Sequence, residues 1–99
     1  MLEIQGEEII AFTDTGSKVS LISETRFNQL KDVKIKSCDI RITSITHNVI
    51  PVTGEVLLRV ECKRSLFHNF IIVPDVYMTV PVLMGADLIG RREIFLGCR

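Results

Sequence analysis

Chain-breaking residues arrive so often in this sequence that little besides short β-strands fits between them. Gly6, Gly16, Pro51, Gly54, Pro74, Pro81, Gly85 and Gly90 divide the chain into brief runs rich in Val, Ile, Thr and Phe. That is the pattern of an all-β domain with tight connections. Leu2 and Ile4 alternate with polar neighbours, Gly6-Glu7 can turn the chain, and a strand is expected from Glu8 to Thr13. Val19, Leu21 and Ile22 suggest another strand, after which Ser23 is placed to cap a short helix over Glu24 to Leu30. Ile40, Ile42 and Ile45 sit beside Arg41, Thr43 and Ser44, a strand leading into a polar tip at Thr46-His47-Asn48. Val56, Leu58 and Val60 alternate with Glu55, Leu57, Arg59 and Glu61, a long strand with one wetter face. Phe70 to Val73 is apolar on both faces and belongs near the centre of a sheet.

The 99 residues, without repeat, low-complexity segment or linker, read as one domain over 1–99. Hydrophobic residues make up 46% of the chain, which supports a packed core rather than disorder. A domain this small buries a modest share of its surface, so pairing with a second chain would help stabilise it. Twelve basic and twelve acidic residues cancel, giving no reason to expect a nucleic-acid or acidic-membrane partner. The longest apolar stretch, Phe70 to Val73, stops at Pro74, far short of a membrane span, and Met1-Leu2-Glu3-Ile4-Gln5 lacks the pattern of a signal peptide. Cys38, Cys62 and Cys98 are odd in number and have no C-x-x-C spacing. They read as small hydrophobes in a reducing, intracellular compartment, not as a disulfide framework. His47 and His68 have no partners at ligand spacing, so no metal and no cofactor is expected. No G-x-S-x-G, P-loop or dinucleotide fingerprint occurs, and Arg91-Arg92 reads as a solvated helix end.

The tripeptide that points to chemistry is Asp14-Thr15-Gly16, followed by Ser17. Alone it is ordinary turn chemistry. Its setting is not ordinary: it follows the apolar run Ile9-Ile10-Ala11-Phe12 and precedes the apolar segment Val19 to Ile22. A carboxylate between two core strands is costly unless something pairs or uses it.

With these residues in view, the chain resembles the retropepsin family of aspartic proteases, found in retroviruses and long-terminal-repeat retrotransposons. Ala11-Phe12-Thr13-Asp14-Thr15-Gly16-Ser17 is similar to the family's apolar strand and Asp-Thr-Gly-Ser/Ala loop. Val82-Leu83-Met84-Gly85-Ala86-Asp87-Leu88-Ile89 resembles its closing pair of apolar residues, glycine and short C-terminal helix, and Gly54 to Val60 resembles the strand descending from its flap. The resemblance implies a closed β fold with a short C-terminal helix, active as a two-fold homodimer on a peptide or polyprotein substrate. Asp14 would be the catalytic carboxylate, Thr15 would bond across the two-fold axis to the partner's loop, and Gly16 would leave room for substrate backbone. Peptide hydrolysis by this route needs two carboxylates sharing one proton around a water, and this chain has a single such loop. An identical neighbour would supply the second.

The resemblance further implies that Ser17, Leu21, Pro81 and Leu83 line the cleft, although Leu21, Pro81 and Leu83 are equally accounted for as core packing. Ser44 to Val52 would be a flap hairpin, with His47 and Asn48 at its tip as substrate contacts or as plain solvated turn residues. The tip departs from retroviral patterns in lacking a glycine-rich segment. Thirteen residues precede Asp14, where retroviral subunits carry a further strand for the dimer sheet. The interface is therefore expected to rest on Ile94, Phe95 and Leu96, or on upstream residues of a longer precursor. Lys18 stands where retroviral enzymes often have an acid, so recognition of substrate ends would differ. The expected setting is the cytoplasm or a virus-like particle. Two other readings share the same fold: a domesticated cellular protease with a narrow substrate, and a catalytically idle dimerisation or peptide-binding module.

Overall fold

The computed structural model describes residues 2–14, 16–31, 33–37, 42–43, 49–61 and 65–91, with 42–43 as backbone. The chain opens with a hairpin of β1 (Leu2–Ile4) and β2 (Glu7–Ile9), registered so that Ile4 faces Glu7. The turn falls at Gln5-Gly6, one residue earlier than the sequence suggested. Both residues have positive φ, 53° and 81°, the mirror-image turn whose twist matches that of two-residue hairpins. Glycine takes this conformation without strain, and Gln5 is carried into it by the pairing on either side.

The strand expected over Glu8 to Thr13 is divided at Ile10 into β2 and β3 (Ala11–Thr13). The chain changes partner there: β2 pairs with β1, whereas β3 runs parallel to β9 (Val82–Met84). β4 (Leu21–Ser23) follows, and Ser23 caps α1 (Glu24–Asn28), its hydroxyl accepting from the Arg26 amide at 3.2 Å. The helix stops at Asn28 instead of Leu30. The amides of Gln29 and Leu30 turn back to the carbonyls of Arg26 and Phe27, tightening the last turn and carrying the Leu30 side chain into the core.

β5 (Ile42–Thr43) and β6 (Val49–Ile50) pair antiparallel as the two arms of a hairpin. The flap expected over Ser44 to Val52 thus begins two residues earlier. Its tip, Thr46-His47-Asn48, lies outside the described residues, as do Ile40 and Ile45 of the expected strand and the three cysteines. β7 (Gly54–Glu61) and β8 (Ser65–Val73) form the long central hairpin, followed by a 3-10 turn (Asp75–Tyr77), β9 and α2 (Ala86–Ile89). Along β7 burial alternates as the sequence predicts, Val56, Leu58 and Val60 inward. β8 lies fourth of seven strands, with Phe70 to Val73 all buried.

The main sheet has the order β2-β1-β7-β8-β4-β9-β3. Its two edge strands, β2 and β3, follow one another end to end through Ile10, so the sheet curls round on itself into a nearly closed barrel. Ile4, Ile22, Leu58, Phe70, Val82 and Leu88 are fully buried inside it. Burial of such a side chain contributes about 1.5–3 kcal/mol relative to exposure. The first strand is thereby used within the subunit, bonded to β2 on one side and to β7 on the other.

Candidate active site

Asp14 stands at the end of edge strand β3, where the chain leaves the sheet. Its backbone amide donates to the Met84 carbonyl at 2.9 Å, continuing the parallel β3–β9 ladder by one bond. The loop then folds on its own aspartate. The Gly16 amide donates to Asp14 Oδ1 at 2.9 Å, and the Ser17 amide donates to the Asp14 carbonyl at 3.1 Å. Ser17 Oγ donates to the Val19 carbonyl at 2.7 Å, so this hydroxyl closes the turn. From the other side, the Ala86 amide at the start of α2 donates to the Ser17 carbonyl at 2.7 Å.

Gly85 makes this approach possible. A Cβ there would meet the Val19 carbonyl oxygen, and would lie 2.5 Å from the Val19 carbonyl carbon and 2.9 Å from the Ser17 oxygen. These are backbone atoms of the loop, so no side chain fits. The result is a fixed loop whose carboxylate is exposed to solvent in the single chain, with one oxygen already engaged by a backbone amide. A carboxylate so held is oriented and open to a second reactant.

Strand register arranges the surroundings. Phe12 pairs with Leu83 across β3 and β9, and Leu83 pairs with Leu21 across β9 and β4. Residues opposite each other in register share a sheet face. That face is turned away from the core, because the intervening Val82, Met84 and Ile22 are the buried ones. Phe12 is 47% exposed, and Leu21 and Leu83 are half-buried. An apolar row therefore runs across three strands beside Asp14. Pro81 is exposed just before β9, its carbonyl accepting from the Ser23 amide at 3.0 Å.

The structure thus places Asp14, Gly16 and Ser17 in one loop, with Leu21 and Leu83 opposite each other on the neighbouring strands. Thr15, His47, Asn48, Ile94, Phe95 and Leu96 lie outside the described residues. Phe12 was missed at the sequence level. Inside the continuous apolar run from Ile9 to Phe12 no alternation marks it as outward-facing; only the register with Leu83 does.

No family model and no curated protein matches the sequence. Solved structures do. EIAV protease complexed with the inhibitor HBY-793 superposes with a TM-score of 0.76 at 17% identity, covering 90% of this chain and 81% of that one. The retroviral protease-like domain of Ddi1 from Leishmania major superposes with a TM-score of 0.68 at 15% identity, covering 93% and 74%. The fold is retropepsin-like. A protein of unknown function from Legionella pneumophila, Lpg0085, is more distant, with a TM-score of 0.51 at 15% identity over 86% of this chain and 76% of that one. At these identities the likeness concerns the backbone. Within the retropepsin-like frame the chemistry of this chain rests on its own residues, and Asp14 is the acid that its loop holds in place.

Proposed function

We propose that the chain is one subunit of a homodimeric aspartic endopeptidase, with Asp14 of each subunit supplying half of a shared catalytic dyad. The observation that carries the reading is the Asp14 carboxylate itself, exposed at the end of a barrel strand and held by the Gly16 amide on a loop that backbone bonds to Met84 and Ala86 fix in a retropepsin-like fold. One ionised carboxylate takes a proton from water as the water oxygen attacks the scissile carbonyl carbon. The other, protonated, gives its proton to the carbonyl oxygen. The tetrahedral diol then breaks its C–N bond: the nitrogen takes a proton from the protonated carboxyl while the other carboxylate takes one from a diol hydroxyl, leaving a carboxylic acid and an amine and returning the dyad to its starting state. Two carboxylates so close cannot both ionise, so the pair shares one proton.

Thr15 bonds across the two-fold axis, Gly16 leaves room for substrate backbone, and Ser17, Leu21, Pro81 and Leu83 line the cleft, joined by Phe12. In this reading His47 and Asn48 would meet substrate from the closing hairpin, and Ile94, Phe95 and Leu96 would form the interface. The substrate class is a peptide or polyprotein, with a retroelement precursor as the natural case, processed in the cytoplasm or a virus-like particle. No nucleic acid, membrane, metal or cofactor takes part.

The test is incubation of the pure protein with a peptide library at several pH values, with cut sites read by mass spectrometry. Asp14→Asn should lower cleavage by about a thousandfold or more and leave the circular dichroism spectrum unchanged. Comparable cleavage by that variant refutes the role of Asp14. The rate per chain should fall on dilution as dimers dissociate. An active species that sediments as a monomer at every dilution refutes the dyad.

A further inference from the structure

Behind the Asp14 loop runs a chain of polar side chains that the proposed reaction does not use. Ser20 is fully buried, and its hydroxyl has two partners: it accepts from the Gly85 amide at 3.0 Å and donates to Asp87 Oδ1 at 2.8 Å. The second oxygen of Asp87 faces His68 Nε2 at 2.9 Å. The other ring nitrogen of His68, Nδ1, lies 3.4 Å from the Arg91 guanidinium, which also donates to the Phe67 carbonyl at 2.8 Å. The imidazole stands edge-on to Phe70, with centroids 5.8 Å apart and planes at 85°. Ser, Asp and His occur together here, but this is no nucleophilic triad. Asp87 sits between the other two, and the Ser20 hydroxyl is sealed in the core.

The hydrogen-bonding partners of the ring favour one arrangement of its hydrogens. An ionised carboxylate only accepts, and a guanidinium only donates. Hydrogen on Nε2 towards Asp87, with the Nδ1 lone pair towards Arg91, is the arrangement that fits both contacts. From the other elements packed against this face, the residue opposite on β7 is the apolar Leu58, and along β8 the neighbours are Leu66 and Phe70. Among the described residues, Asp87 and Arg91 are the charged groups that contact the ring.

We propose that His68 is a positioning residue for the Asp14 loop, acting as the neutral Nε2–H tautomer that holds Asp87 against Ser20. Asp87 is 30% exposed in its side chain, so without a second partner its carboxylate would turn towards water. His68, 11% exposed, locks Oδ2 and so keeps Oδ1 on Ser20. Ser20 in turn holds the Gly85 amide. Gly85 lies between Met84, whose carbonyl takes the Asp14 amide, and Ala86, whose amide takes the Ser17 carbonyl. A loss at His68 thus reaches the catalytic carboxylate through two backbone bonds.

The inference rests on the aspartic-protease reading for its kinetic effect, but not for its geometry, and the experiment separates the two. In 15N-labelled Asp14→Asn protein, long-range proton–nitrogen spectra should show the His68 ring as the Nε2–H tautomer. A ring in any other form overturns the proposal. In the same background His68→Leu should shift the Gly85 and Ala86 amide resonances strongly. His68→Gln, which places an N–H near the Nε2 position, should shift them little. Equal shifts in the two variants overturn it as well. In otherwise wild-type protein, His68→Leu should lower kcat by about ten- to a hundredfold with KM nearly unchanged, and His68→Gln should recover most of the loss. A matching loss in both variants, or a change confined to KM, overturns the positioning role. If the unaltered protein cuts no peptide, the aspartic-protease reading fails by itself, and the tautomer and amide shifts still decide whether His68 braces the loop.

Discussion

Replacing Gly85 by alanine adds one methyl group where the structure has no room for it. The new Cβ would stand 2.5 Å from the Val19 carbonyl carbon and 2.9 Å from the Ser17 carbonyl oxygen, against backbone that a side-chain rotation cannot move aside. Restoring an ordinary carbon contact requires the Ser17–Val19 loop and the Met84–Ala86 turn to separate by about 1 Å. Overpacking of this kind costs about 1–3 kcal/mol. The separation also stretches the 2.7 Å bond from the Ala86 amide to the Ser17 carbonyl and the 3.0 Å bond from the Gly85 amide to Ser20. Each contributes about 1 kcal/mol. The sum is about 3–5 kcal/mol, a large share of the stability of a small domain. Urea unfolding of Asp14→Asn and of the Asp14→Asn, Gly85→Ala double variant, at one protein concentration, measures it without self-cleavage. The midpoint should fall sharply with little change in slope. In active protein the same substitution should cost at least about a hundredfold in kcat, because the loop that aims Asp14 is displaced. A loss below about 0.5 kcal/mol with unchanged loop amide resonances would show that the contact is not as tight as described, and the account of the loop would fall with it.

Four further outcomes are expected. Ser23→Ala removes the hydroxyl that caps α1 and should lower stability by about 1 kcal/mol, read by the same urea titration; no change would mean that the cap contributes nothing. The Thr25 hydroxyl and amide hydrogen-bond to Asp75 and hold its carboxyl below the usual aspartate range. A carboxyl whose folded pKa is depressed contributes stability above its unfolded value and loses it as pH falls through the folded one, so Asp75→Asn should blunt the acid limb of the stability curve and leave the neutral region flat; NMR titration of the carboxyl checks the direction. Leu83→Ala should reduce kcat/KM about tenfold or more for peptides with bulky apolar side chains at the cut and much less for small ones, measured on a matched peptide pair; uniform loss would remove Leu83 from the pocket. Phe95→Glu should give a folded monomer without activity, seen by sedimentation and peptide assay together, and an active monomer would refute the proposed interface.

Much of the fold was legible because it is written in local pattern. Alternation from Glu55 to Glu61 marked a half-wet strand, the unbroken apolar run at Phe70 to Val73 marked the sheet centre, and Ser23 before Glu24 marked a helix start. The break at Ile10 was not legible. It arises from a change of partner between β1 and β9, and the strand's own residues do not encode their neighbours. The same limit applied to the site. Asp14 stood out through its place between apolar segments. Ser20 and Asp87, separated by 67 positions, meet only because β4 lies between β8 and β9. His68 carried no signal at all, since its partners are set by tertiary packing and not by spacing.

The parallel pairing of β3 with β9 also governs when the acid becomes useful. A chain is made from its N-terminal end, so Asp14 leaves the ribosome before Met84 and Ala86, whose carbonyl and amide pin its loop. Until those residues arrive, β3 has no neighbour on that side of the barrel and Asp14 sits in a loop without its outer supports. Pairings of such long sequence separation form late and slowly. Synthesis therefore imposes a schedule: the hairpins form first, the loop is clamped last, and any chain cut short before Val82 carries its carboxylate without a place to aim it. For a protein proposed to cut other chains, that order keeps its chemistry silent until its own folding is complete.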